Sequence, residues 1–110
     1  MATDAVVVLV TVPNSEKGAA LARTLVEERL AACGNLLPGI RSIYRWDGHV
    51  QDDAEALLVL KTTATLFERL RERVVQLHEY QCPEVLALEV AAGHEPYLAW
   101  LRGAVVGGER

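Results

Sequence analysis

The segment SIYRWDGHVQDDAEALLVLKTT, from Ser42 to Thr63, reads as a single β-hairpin. Asp47-Gly48 suits a two-residue type I′ turn, because glycine accepts a positive φ without a Cβ clash. The arms would be Ile40–Trp46 and His49–Thr62. The second arm, about 14 residues at ~3.3 Å each, would be roughly 46 Å long. A chain of 110 residues should have a radius of gyration of roughly 13 Å and a diameter of about 34 Å. The hairpin outruns its own domain. Any fold must therefore give the projecting end something to lie on.

The flanking patterns define the rest. Ala5–Val12 is a β-branched apolar run, a strand buried on both faces, and Pro13 stops it. Asn14 or Ser15 can cap a helix over Ser15–Ala32, with Ala22, Leu25, Val26, Leu30 and Cys33 on one stripe. GNLLPG reads as the turn into the hairpin. Thr65-x-x-Glu68 resembles a capping box that opens a second helix running to about His78, with Leu66, Leu70, Val74 and Leu77 inward. Val85–Val90 is a fourth strand. GHEPYLAWL starts a short last helix with Pro96 in its first turn, and the terminal GGER is expected to fray.

The order β-α-β-β-α-β plus a terminal helix predicts an α+β, ferredoxin-like sandwich over residues 1–110. Its strand order would be 4-1-3-2, with strands one and three central. Both long helices would then lie on one face of the sheet. Ala5–Val10 and Ala56–Leu60 are nevertheless apolar on both faces, where an open antiparallel face should alternate. The chain has no spare element large enough to cover the second face. A homo-oligomer answers both difficulties, because neighbouring copies supply cover for the sheet and a bed for the arm. Tyr44 and Trp46 share one face of the first arm, opposite Gln51 and His49, and are the expected subunit-interface anchors. Asp52-Asp53 reads as a bulge that bends the arm.

Composition removes several classes of function. Hydrophobic residues at 51% and charged residues at 24% place the chain among globular proteins rather than disordered ones. A net charge of −4 lacks the basic footprint of nucleic-acid binding. No apolar run is long enough to span a bilayer, and MATDAVVVLVTVP reads as a strand rather than a signal peptide. Cys33 and Cys82 fall at opposite edges of the expected sheet, too far apart for a disulfide. Reduced thiols and a cytoplasmic location are the simpler reading. No nucleophile–base–orienter set is visible and PNSEKG is not a phosphate loop, so the chain reads as a non-enzyme.

The fragments ERLAACGNLLPGIRSIYRWDG, LLVLKTT, HEYQCPEVLALEV and YLAWL resemble, in order and spacing, the CutA family of divalent-cation tolerance proteins. The resemblance covers about Val6 to Leu101. It implies a ferredoxin-like protomer, a compact cytoplasmic homotrimer with PII-like architecture, and a role in metal tolerance. Copper binding occurs in some members, with no required cofactor and no settled reaction. The family's metal pattern is a cysteine late in strand one and adjacent histidines at the end of helix two. Here Val10 and Leu77 stand at two of those positions, and only His78 carries over.

His78 and Cys82, which the topology brings to one sheet edge, are therefore the metal candidates, for Cu(II) or another divalent cation. Imidazole and thiolate are suitable copper ligands. Lys61, at the end of an apolar strand beside the start of helix two, is a candidate for a small anionic ligand. The alternative function is thus a PII-like regulator that binds a small anion or a partner protein in clefts between subunits.

Overall fold

The computed structural model describes residues 3–107. Strands β1 (Ala5–Val12), β2 (Cys33–Trp46), β3 (His49–Thr63) and β4 (Leu86–Glu89) form one antiparallel sheet in the order β2-β3-β1-β4. This is the expected 4-1-3-2 order. Helices α1 (Ser15–Glu27), α2 (Phe67–Leu77) and α3 (Glu95–Ala104) complete an α+β fold. Residues 108–110, most of the tail expected to fray, lie outside the described residues.

Alternation along the two central strands divides the packing. Val6, Val8, Val10 and Val12 of β1 and Ala56, Leu58 and Leu60 of β3 are buried, together with Leu21 and Leu25 of α1 and Leu70 and Val74 of α2. Gly18 permits the close approach of α1, since a Cβ there would stand 2.6 Å from Leu36 and 2.8 Å from Val12. A second core gathers Ala5, Ala32 and Leu66 with Leu98, Leu101 and Val105. Helix α3 thus covers one end of the opposite face, for which no cover from the same chain is expected from the sequence. Most of that face stays bare. Val7, Leu9, Leu57 and Val59 are only half-buried, while Leu86 and Leu88 remain 55% and 53% exposed.

The hairpin forms at the expected turn. Asp47 (φ 52°) and Gly48 (φ 76°) both lie in the left-handed region, and Tyr44 pairs with Gln51 and Trp46 with His49. The long axis of the molecule is 46 Å against 28 and 23 Å for the others. GNLLPG is not a turn, however. Gly34 to Leu37 pair with Leu60 to Leu57, so β2 begins at Cys33. Pro38-Gly39 is a bulge inside the strand, between the pairs Leu37–Leu57 and Ile40–Glu55, with Gly39 at φ 74°. Asp52 and Asp53 stay in register with Ile43 and Ser42, so the bulge expected there is absent. The extra residue sits on β2 because Pro38 has no N–H to give the ladder and Gly39 tolerates the required φ.

Helix α1 ends at Glu27, five residues before the expected Ala32, in a Schellman motif. Leu30 N–H bonds to Leu25 C=O and Arg29 N–H to Val26 C=O, with Arg29 at φ 60°. Glycine usually occupies that left-handed position. Arginine is held there by its other work: its guanidinium donates to the carbonyls of Gly103, Ala104 and Val105, capping the C-terminus of α3. Val106 N–H bonds back to Arg29 C=O. Helix α2 also differs from expectation. A 3-10 turn, Ala64–Leu66, precedes it, no capping-box bond forms, and Glu68 instead pairs with Arg71. Leu77, expected inward, is exposed.

Two substitutions separate the roles of Arg29. Arg29→Ala keeps the left-handed strain and loses the charged cap, so it should destabilise the fold by about 2 kcal/mol in denaturant unfolding. Arg29→Gly relieves a strain of roughly 1 kcal/mol and should be the milder change. Equal losses from both would remove backbone strain from the account.

Candidate functional site

Beyond Glu55, strand β3 pairs only with β2, and the resulting ribbon leans over the loop that follows α2. Between them lies a cleft of about 820 Å³ lined by Thr11, Ser42, Tyr44, Trp46, Asp53, Glu55, Tyr80, Cys82 and Glu84, among others. The register explains the assembly. Asp53 and Glu55 are two apart on β3, opposite Ser42 and Ile40, and so share the face that carries Tyr44 and Trp46. Tyr44 Oη donates to Asp53 at 2.6 Å and Tyr80 Oη to Glu55 at 2.5 Å. Burial, then the bond to Glu55, pushes the Tyr80 phenol well above the ordinary tyrosine range. The bond to Asp53 raises Tyr44 in the same direction.

His78 fixes the floor of this loop. Its Nδ1 accepts from Tyr80 N–H at 3.1 Å, so Nε2 carries the proton and donates to Thr11 C=O at 2.8 Å. The ring also packs against Tyr80 at a tilt of 45°, with centroids 4.6 Å apart. His78 therefore ties the end of α2 to the end of β1 and aims Tyr80 at Glu55. A metal ion at His78 would have to take a nitrogen from one of these bonds.

The expected gathering of His78, Tyr80 and Cys82 at one sheet edge is present, but His78 and Cys82 line different depressions. Cys82 is exposed in the large cleft. His78 faces a smaller one of about 410 Å³ with Lys17, Leu77 and Glu79. Among the described residues, no three His, Cys, Asp or Glu side chains converge as a metal site. The residues of the inherited copper pattern thus offer no preformed fit.

Lys61 lies on the same sheet face, at the end covered by α3. Its ammonium bonds to Asn35 Oδ1 and stands 4.0 Å from Cys33 Sγ, which is 3.6 Å from the same oxygen. Burial, followed by the neighbouring Cys33, raises the Tyr97 phenol beside them. No carboxylate pairs with Lys61 among the described residues. Trp46 is 54% exposed near the hairpin tip, and Tyr44 is exposed apart from its bond to Asp53.

No sequence motif marks Glu55, and Asp53 is expected only as part of a bulge. Strand parity alone could have found both. Once Asp47-Gly48 is the turn, every odd-numbered residue from His49 to Glu55 must share the face of Tyr44 and Trp46.

The fold is an antiparallel α+β sandwich with one largely bare sheet face and a projecting aromatic arm. The model of the CutA1 divalent ion tolerance protein family matches residues 6–104, and the chain belongs to that family. It is 55% identical to the divalent-cation tolerance protein CutA of Thermus thermophilus over 96 residues, covering 87% of this chain and 93% of that one. It is 52% identical to the chloroplastic protein CutA of Arabidopsis thaliana over 90% of its own length, but spans only 54% of that longer protein. The crystal structure of CutA1 from Oryza sativa superposes with a TM-score of 0.92 at 47% identity, covering 96% of this chain and 97% of that one. Among the described residues, no helix is long and apolar enough to cross a membrane.

The Tyr80 bond supplies a test in alkali. A phenol raised in the folded state contributes stability that is fully present below the unfolded value of about pH 10 and is lost as pH rises through the folded value. Tyr80→Phe should cost about 1 kcal/mol at neutral pH. It should also flatten the fall in stability above about pH 10. Parallel alkaline unfolding curves for parent and variant would show that the bond does not matter.

Proposed function

We propose that the chain acts as a non-enzymatic cytoplasmic homotrimer in divalent-cation tolerance, with a ferredoxin-like protomer and PII-like assembly. The observation that carries the assembly is the bare sheet face. Leu37, Leu86 and Leu88 are exposed beside half-buried Val7, Leu9, Leu57 and Val59, in one contiguous apolar surface. Surfaces of this kind mark association sites. The role in cation tolerance comes from family membership and from the printed names of the relatives.

Light scattering at micromolar protein should give three times the 12.0 kDa of the chain. A stable monomer would sink the reading. Trp46→Ala should weaken assembly by about 2 kcal/mol or more, the scale of an interface anchor. Unchanged dissociation on dilution would return Trp46 to the ordinary surface.

Metal contact belongs to the same proposal at His78 and Cys82, for Cu(II) or another divalent cation. It should be weak, because Val10 and Leu77 offer no donor atoms and the His78 nitrogens are both engaged. His78→Ala should abolish most specific Cu²⁺ uptake in calorimetric titration, and Cys82→Ser should reduce Cu(I) uptake. His49→Ala and His94→Ala control for adventitious sites. A His78→Ala titration matching the parent would remove the metal assignment and leave the assembly untouched.

A second reading is favoured by Lys61, whose ammonium meets Asn35 and Cys33 and has no carboxylate partner among the described residues. In that reading a small anion binds at Lys61 between subunits and the protein is a PII-like regulator. Calorimetry with nucleotides on the sample used for copper separates the two.

A further inference from the structure

We draw no further inference here: the strongest candidate, the side-chain cluster of Cys33, Asn35, Lys61 and Tyr97 at the α3 end of the sheet, belongs to the anion site already described and lies on the sheet face assigned to contact between copies of the chain.

Discussion

Strand β3 does two jobs along one continuous length, and the rest of the structure depends on that. From Ala56 to Thr63 it is a central strand, bonded to β1 on one side and, through most of that length, to β2 on the other. From His49 to Glu55 it bonds only to β2. The first half of the strand is thus a two-stranded ribbon, which is marginal in water when left alone. Its own ties are slight. The Arg41–Asp52 pair is exposed, and exposed pairs contribute little. Tyr44–Asp53 and Tyr80–Glu55 add two phenol bonds, the second of which anchors the ribbon to the loop after α2. What the ribbon lacks within one chain, a second chain can provide.

The same strand explains why the bare face is polarised. At one end, α3 lies over Ala5, and Lys61 sits with Asn35 and Cys33. At the other, the cleft collects carboxylates and aromatic rings. Between them run Val7, Leu9, Leu57 and Val59, joined by Leu86 and Leu88 of β4. Two polar stations of different character are thus separated by an apolar belt. Arg29 maintains the division. By closing α1 early and capping α3, it keeps the last helix over one end of the face only.

Much of this was legible in the amino-acid sequence where a local rule acts alone. Asp47-Gly48 set the turn, the turn set the register, and the register put Tyr44 opposite Gln51 and Trp46 opposite His49. The uninterrupted apolar runs of β1 and β3 announced a sheet with business on both faces. Reading failed where a distant contact decides a local outcome. Nothing near Arg29 marks it as a helix stop, because what holds it in the left-handed region is the far end of α3. Pro38-Gly39 looks like a turn and becomes a bulge, because β3 continues opposite it and imposes pairing on both sides. For the site, the family pattern marks His78 as a ligand, and the geometry shows a second task that no motif announces, holding the Tyr80 backbone. Glu55 was overlooked because its importance lies in which side of a strand it occupies.

In the proposed assembly, other copies of the chain cover the face carrying Leu86 and Leu88. Sedimentation of the Leu86→Asp, Leu88→Asp double variant tests it most directly, since both side chains are already largely exposed in one protomer. The expected result is a folded particle, by circular dichroism, with a mass well below three times 12.0 kDa at concentrations where the parent is assembled. A folded variant sedimenting with the same mass as the parent would contradict it.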